Sequence, residues 1–342
     1  MMTETAAAAP RAAKPVSGSR ILSIDVFRGG TIVAMVFVNF VAEYSAIPGW
    51  SKHTHDQNIP YGLTYVDLIA PFFIFAIALT YHQSYRRSLA QSGRVQTILK
   101  FVRRYFALLG MGLIVEMTPT PASIIFGWAV LPTIGLAGMV TLLFIRFPRY
   151  VRLALGLALL AVYQFALGRT VVVHGVPVII GNWNYSDVHG GFIGGLGYGL
   201  MMMLGTVVGE AIEEKRLTDF LWFGVVFTAA GVATHFIWRI SKDHVTVPFI
   251  LISLGLASLT FYAVWYLYDH RQLTRGSSRF LQPQGKNALF LYLLHGLLVL
   301  IAQTLLPTNA LLGFVLVVAL GLIAAIWGVA VYLDRKRVYL TL

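Results

Sequence analysis

The chain has 342 residues, of which 57% are hydrophobic and 12% are charged, and its net charge is +12. The apolar content excludes a disordered chain, and the charged share is about half that of soluble domains, which argues against a soluble globular protein. The sequence contains no cysteine, so disulfides, thiolate metal sites and cysteine nucleophiles are excluded.

Apolar blocks of about 20 residues, the length that crosses a bilayer, recur along the chain. They predict an all-α, polytopic membrane bundle of about ten helices. Residues 1–19 are Ala-rich and polar and are expected to form a disordered cytoplasmic tail, whereas residues 20–342 form a single transmembrane domain. The predicted spans are residues 29–48, 62–84, 101–117, 121–145, 150–168, 190–210, 218–238, 247–268, 286–305 and 310–333.

The basic residues fall unevenly on the two sides of this bundle. With ten alternating spans, 22 of the 26 lysines and arginines lie on the side of the N-terminus, and Lys52, Arg169, Arg239 and Lys242 lie on the other. Cytoplasmic loops collect Lys and Arg, so both termini are predicted to be cytoplasmic in an integral protein of a bacterial inner membrane. The positive charge is therefore a topology signal; membrane lipids are expected partners and nucleic acid is not.

Polar residues near the first span form the first candidate cluster. Asp25 and Arg28 are three residues apart, so they share a helical face. They either form an ion pair at the helix end, or Arg28 and Arg20 border a basic entrance that binds phosphates. Asn39 lies in mid-span, where an amide needs a partner.

The outer loop after this span carries His53, His55 and Asp56, and Asp67 follows near the outer end of the second span. Histidine beside a carboxylate is the usual general base, because imidazole titrates near neutral pH and the carboxylate fixes its tautomer. The alternatives are a solvated polar loop and a simple capping role for Asp67. No metal site is predicted, since no compelling third or fourth ligand accompanies these residues.

A later outer loop contains Asn182, Asp187 and His189 among aromatic residues and glycines. This loop either lines an acceptor pocket or is a glycine-rich turn.

The ninth span begins on the cytoplasmic side with Lys286 and Asn287, and Tyr292 and His295 follow on one helical face. Ionisable groups inside a span are costly and are functional candidates by default. The alternative for His295 is a hydrogen-bonded interhelical histidine.

Three segments together resemble a known family. They are residues 23–39, with S-I-D-V-F-R-G at their start, residues 62–75, with G-L-T-x-x-D-L-I-x-P-F-F, and residues 285–292, with G-x-N-A-x-x-x-Y. They are similar to the catalytic domains of the heparan-α-glucosaminide N-acetyltransferase family, and they cover about a tenth of the chain.

The resemblance implies a multi-pass acyltransferase that passes acetyl from cytosolic acetyl-CoA to a glycan or other small acceptor on the far side of the membrane. It implies a catalytic histidine in the loop after the first span, here His55 or His53, which Asp56 or Asp67 would orient. The donor would lie along a path from the basic side into the bundle, against Arg20, Asp25, Arg28, Asn39, Lys286, Asn287, Tyr292 and His295.

Two other functions stay open. The spacing between His55 and Gly62 is about two residues longer than in the family, and the family's acidic outer-loop segment appears here as Asp187-Val-His189-Gly190. These departures favour an inactive structural subunit of a larger membrane complex, and either that complex or a homo-oligomer is an expected assembly. Polar residues inside spans also suit a small-molecule transporter.

Overall fold

The computed structural model describes residues 21–55, 62–119, 124–173, 176–182, 188–272 and 275–340. These residues form a helical bundle with two short β-hairpins, so the predicted all-α membrane class is confirmed. The helices are α1 Leu22–Val41, α2 Ile69–Val115, α3 Val130–Phe144, α4 Arg149–Leu167, α5 Gly191–Glu213, α6 Asp219–His235, α7 Val247–Trp265, α8 Arg275–Lys286, α9 Ala288–Leu305 and α10 Leu312–Arg335.

Seven helical elements in the described part of the chain are long and apolar enough to cross a membrane. They include α1, α4, α5, α9, α10, the stretch Tyr65–Val115 that contains α2, and the stretch Val247–His270 that contains α7. The helices α3 and α6 are apolar but have only 15 and 17 residues. The protein is therefore an integral membrane protein, and a total of ten crossings stays a prediction.

The long helix α2 turns back on itself at Gly93. This glycine has φ 72° and ψ 177°, a conformation that glycine adopts without a Cβ penalty. On either side of the turn, Thr97 Oγ1 donates to Ser88 Oγ (3.1 Å), and the rings of Tyr81 and Tyr105 stack at 5.5 Å. A straight helix would separate these two tyrosines by roughly 36 Å. The two halves of α2 are therefore an antiparallel pair, which matches the two separate spans predicted here.

Some predicted boundaries were wrong. The first helix begins at Leu22 instead of residue 29 and ends at Val41 instead of residue 48. It starts early because Asp25 is buried and Arg28 donates to Ala76 O and the Thr80 hydroxyl (both 3.0 Å), so neither charge ends the helix at the membrane surface.

Two other boundaries differ from the prediction, at a short hairpin before α3 and at the polar helix α8. Residues 121–129 were predicted as helix, but β2 (Ile124–Phe126) pairs with β1 (Met117–Pro119) ahead of α3. The connection 269–285 contains α8, whose composition resembles that of a loop. A second hairpin joins β3 (Thr170–Val173) to β4 (Val176–Ile179).

Helix α8 packs closely against α1. A Cβ added at Gly29 would collide with the carbonyl of Leu281, and one added at Gly285 would collide with the carbonyl of Asp25. Only glycine allows this approach of the two backbones. The contact brings the start of α9 beside the first half of α1.

The loops at the opposite end of the bundle are tied to each other. Thr64 Oγ1 donates to Lys52 O (2.9 Å), and His244 Nε2 lies 3.1 Å from Asn182 Oδ1. Tyr163 Oη donates to His244 O (3.3 Å). Together with the contact of His55 Nδ1 with Asp243 Oδ1 (3.3 Å), these bonds gather the loop after α1, the loop before α5 and the loop between α6 and α7 into one layer.

Candidate active site

A cavity of about 160 Å³ lies beneath this layer of loops. Its polar lining comes from α1, the loop after it, the start and end of α2, the loop before α5, and α9. The polar lining residues are Asn39, His53, Asp67, Glu116, His189 and Tyr292. Residues that are far apart in sequence thus meet at one point.

His53 and Asp67 form the central pair of this cavity, with His53 Nδ1 3.0 Å from Asp67 Oδ1. The other oxygen of Asp67 accepts hydrogen bonds from Thr54 Oγ1 (2.8 Å) and from the backbone N–H of Thr64 (3.1 Å). A carboxyl group that accepts this many bonds is a carboxylate, so Nδ1 of His53 donates its hydrogen to it. Nε2 of His53 then carries the lone pair.

The local sequence explains why Asp67 is held so firmly. Thr64 caps the 3₁₀ turn Tyr65–Leu68, and Asp67 bonds back to the Thr64 backbone as in a capping box. The capping role foreseen for Asp67 and its role as partner of His53 therefore occur together.

His55 lies apart from this pair. Its side chain is 47% exposed and its Nδ1 is 3.3 Å from Asp243 Oδ1. It is not among the residues that line the cavity, whereas His53 is. Of the two loop histidines, the structure brings His53 to Asp67; the predicted Asp56 lies outside the described residues.

Lys242 is a member of the site that sequence reasoning missed. Its side chain is 1% exposed, and its Nζ lies 3.5 Å from Asp67 Oδ1. The one signal in the sequence was its place among the few basic residues on the outer side. A solvated loop lysine and a buried one look the same in sequence.

The environment of His53 favours the neutral form of its imidazole. Burial lowers the pKa of His53, the hydrogen bond to Asp67 raises it, and the charge of Lys242 lowers it, so that the pKa lies below its ordinary value. A neutral imidazole with a free Nε2 can accept a proton.

His189 forms another wall of the cavity. It has a left-handed backbone (φ 68°) and lies directly before the positive-φ residues Gly190 and Gly191. The side chain is buried, with Nδ1 3.4 Å from the Tyr198 hydroxyl, and burial lowers the pKa of His189 to about 3. The structure thus places His189 and His53 on the wall of the same cavity.

The other predicted acceptor-loop residues are not in the cavity lining. Asn182 is exposed and contacts His244. Asp187 lies outside the described residues. Glu116, which the sequence marked only weakly, does line the cavity, and burial raises the pKa of its carboxyl group.

Asn39 and His295 are partners across the interface of α1 and α9. Asn39 Nδ2 lies 3.1 Å from His295 Nε2, and His295 Nδ1 donates to the carbonyl of Tyr292. Asn39 lines the cavity and His295 lies behind it. His295 is therefore the interhelical histidine that one of the predictions described, and it orients Asn39.

A second cavity of about 170 Å³ lies towards the other end of the bundle, and it is basic. Arg28, Arg104 and Lys286 line it, and it shares Phe73 and Tyr292 with the first cavity. The rings of Phe73 and Tyr292 meet edge to face at 6.3 Å. These two aromatic side chains form a common wall between the cavities.

Arg104 was also missed by sequence reasoning. Its Nε is buried and, among the described residues, has no hydrogen-bond partner. Arg104 also borders an open groove of about 360 Å³ together with Lys100 and Arg103. Basic residues at the predicted cytoplasmic ends of spans are so common that this arginine did not stand out.

The remaining residues predicted to bind the acyl donor lie in different parts of the structure. Lys286 pairs with Asp334 (2.9 Å) at the edge of the basic cavity. Asn287 is buried and bonds to the backbone of Val338 and Leu340, so it fixes the segment after α10. Asp25 lies at the contact of α1 with α8, and Arg20 is outside the described residues.

No group of three or more His, Asp or Glu side chains that could hold a metal ion occurs within the described ranges. The chemistry available in the first cavity is that of a neutral imidazole oriented by a carboxylate.

Comparison with known proteins shows the family to which the chain belongs. The profile of the family described as "Heparan-alpha-glucosaminide N-acetyltransferase, catalytic" matches residues 20–267, well over half of the chain. The heparan-alpha-glucosaminide N-acetyltransferase of Mus musculus is 32% identical over 102 residues, which are 29% of this chain and 14% of that protein. The chain thus aligns with only a small part of that relative. The match over residues 20–267 shows that the chain belongs to the heparan-α-glucosaminide N-acetyltransferase catalytic-domain family.

Proposed function

We propose that the protein is a transmembrane acetyltransferase that takes acetyl from acetyl-CoA at its basic cavity and transfers it to an acceptor in the His53 cavity. One observation carries this proposal: a basic cavity and a His–Asp cavity meet at a shared wall, Phe73 and Tyr292. A donor with anionic phosphates and a long arm that ends in a thioester suits such a pair of cavities.

The positive charge of the basic cavity assigns the phosphates of acetyl-CoA to that end of the bundle. Arg28, Arg104 and Lys286 would bind the phosphates, and arginine suits them because its planar fork reaches two oxygens at once. The basic groove beside Arg104 extends this surface outward. The distribution of Lys and Arg supports a cytoplasmic location for this end, with ten crossings and both termini in the cytoplasm of a bacterial cell.

The reacting end is separated from the donor end along α1. Arg28 and Asn39 are 11 residues apart, which is roughly 16 Å along the helix axis. The arm of the donor would cover this distance past Phe73 and Tyr292. The acetyl group would then reach His53.

The reaction is acyl transfer with His53 as general base. Nε2 of His53 removes the proton from the acceptor amine or hydroxyl as that atom attacks the thioester carbonyl carbon. The new carbon–nitrogen or carbon–oxygen bond forms, the carbon–sulfur bond breaks, and the proton on His53 passes to the departing CoA thiolate. Asp67 fixes the imidazole and stabilises its cationic form during transfer, as the acid of a catalytic triad does.

The acceptor is proposed to be an amino sugar, since the name of the murine relative refers to a glucosaminide. Glu116 and His189 on the cavity wall are polar groups that such an acceptor would contact. Glucosamine is therefore the first acceptor to test.

The test uses the full chain, purified and placed in lipid nanodiscs, with acetyl-CoA and glucosamine. Release of free CoA is measured with a thiol reagent, and the signal comes from the donor alone because the chain has no cysteine. We expect release that depends on both substrates and is lost in His53→Ala. Full activity in His53→Ala would overturn the mechanism, and absence of acetyl-CoA binding together with a stoichiometric partner protein would instead favour the structural subunit.

A further inference from the structure

We propose that Lys242 is a positioning residue of this site, which balances the charge of Asp67 and so keeps His53 in its neutral, proton-accepting form. The proposal rests on the proposed function, because it assigns a task to His53. It adds a residue from the loop between α6 and α7, a part of the chain that carried no predicted role in the reaction.

The geometry places Asp67 between an imidazole and an ammonium group. Oδ1 of Asp67 is 3.0 Å from His53 Nδ1, and the same oxygen is 3.5 Å from Lys242 Nζ. Lys242 Nζ is also 4.0 Å from Asp243 Oδ1. One carboxylate oxygen is thus shared by the base and the lysine.

The burial of Lys242 argues against a mere surface ion pair. Its side chain is 1% exposed and that of Asp67 is 0% exposed, and in the described part of the chain Nζ has no hydrogen-bond partner. An ammonium group loses much of its hydration there, and only nearby negative charge compensates for that loss. The attraction between Lys242 and Asp67 is therefore screened little by water.

Several titratable groups surround His53. They are Asp67 at the start of α2, His55 on its own loop, Glu116 after α2, His189 before α5, and Lys242 and Asp243 on the α6–α7 loop. His189 is neutral above about pH 3, and His55 is paired with Asp243. Asp67 and Lys242 are thus the opposite charges that act most directly on His53. Without Lys242, Asp67 would favour the imidazolium form.

The loop that carries Lys242 is closed by bonds that do not involve its side chain. Val245 N–H donates to Lys242 O (3.1 Å), Ser241 N–H donates to Thr246 Oγ1 (3.0 Å), and Thr246 N–H donates to Ser241 O (3.1 Å). A substitution at Lys242 therefore leaves the turn intact. An electrostatic role can be tested separately from a structural one.

The test compares Lys242→Met and Lys242→Gln, which remove the charge, with Lys242→Arg, which keeps it. The first readout is the pH at which the acetylation rate is half-maximal on the acid side. The second is the pH dependence of carbethoxylation of His53 by diethyl pyrocarbonate, followed by peptide mass spectrometry, since the reagent modifies neutral imidazole. Both midpoints should rise by about one pH unit in the Met and Gln variants, with the rate recovering at high pH, and stay within a few tenths in the Arg variant.

The matched control is Lys52→Met, which removes a lysine charge from the His53 loop. The described contact of Lys52 with the site is through its backbone carbonyl. Both pH midpoints should therefore shift much less in Lys52→Met than in Lys242→Met. Unshifted midpoints in Lys242→Met and Lys242→Gln, with or without a lower rate at every pH, would overturn the proposal. If the unaltered protein transfers no acetyl, the proposed function fails, but carbethoxylation still decides whether Lys242 controls the protonation of His53.

Discussion

The two cavities that meet at Phe73 and Tyr292 are built on different principles. In the loop-end cavity the charges are matched: Asp67 accepts bonds from Thr54 and Thr64 and lies between His53 and Lys242. In the basic cavity Arg104 keeps a buried nitrogen without a partner among the described residues. The first arrangement orients an imidazole, whereas the second leaves the positive charge of Arg104 available for an anion.

This difference separates two tasks that a single pocket would combine. A base needs a fixed partner and a neutral state, while a phosphate site needs unmatched cations. The contrast predicts that a substitution in one cavity impairs the step proposed for that cavity and leaves the step proposed for the other unchanged.

The largest expected effect comes from the loop end. His53→Ala should lower kcat for acetyl transfer by about 10²- to 10⁴-fold, the usual contribution of a general base. His55→Ala is the matched variant, because His55 lies two residues away and outside the cavity lining; it should stay within a few-fold of the unaltered protein. Thiol release measures both, and a larger loss in His55→Ala than in His53→Ala would reverse the assignment.

The next effect belongs to the basic end. Arg104→Gln should raise KM for acetyl-CoA by about 10- to 100-fold with little change in kcat, the loss of one or two charge-assisted hydrogen bonds. S-acetyl-pantetheine lacks the nucleotide phosphates, so its KM should not change. Arg94→Gln, at the exposed turn of α2, is the control. An equal rise of KM for both donors in Arg104→Gln would remove Arg104 from the phosphate site.

A smaller effect concerns the helix contact behind the basic cavity. Gly29→Ala would push a Cβ into the Leu281 carbonyl, and it should lower the free energy of unfolding by about 1–3 kcal/mol. Gly30→Ala has open space and should be neutral or stabilising, since alanine favours helix more than glycine does. Thermal unfolding in detergent gives the comparison, and equal melting temperatures would show that α1 and α8 are not in close contact.

The effect that is smallest at neutral pH, and that grows as the solution is acidified, is an acid sensitivity caused by His189 at the loop end. The pKa of His189 is about 3 in the folded protein, because burial disfavours the charged form, and about 6.5 when unfolded. The unfolded chain therefore binds more protons between these values, and stability should fall as pH decreases from about 6.5 towards 3, by up to about 1.4 kcal/mol per pH unit. His189→Asn, which tolerates the left-handed backbone, should flatten this decline in a series of melting curves. An unchanged slope would assign the acid sensitivity to other groups.

The sequence predicted the parts of this molecule that depend on local pattern. Apolar blocks predicted the membrane bundle, and the carboxylates near the histidine loop led to the hypothesis that Asp56 or Asp67 orients a histidine. It could not decide between His53 and His55, because that choice depends on how the loop folds over α2.

The rest depended on contacts between distant residues. Lys242 and Arg104 have the sequence context of ordinary loop and surface cations, and only the fold shows that their side chains are partly or wholly buried. The predicted start of α1 lies too far along the chain, because the groups that accept hydrogen bonds from Arg28 lie on α2 and were not visible in the local sequence. Helix α8 was read as a loop because its glycine contacts with α1, rather than apolar composition, hold it in place.

The aromatic wall between the cavities also matters for the membrane that contains the protein. Two polar chambers that approach each other from opposite ends of a bundle would conduct protons and ions if they joined, and the cell would lose its transmembrane gradients. Phe73 and Tyr292 close that route with apolar ring surface. Under the proposed function, the passage would be open only while a donor arm fills it, so ions would not leak through the protein.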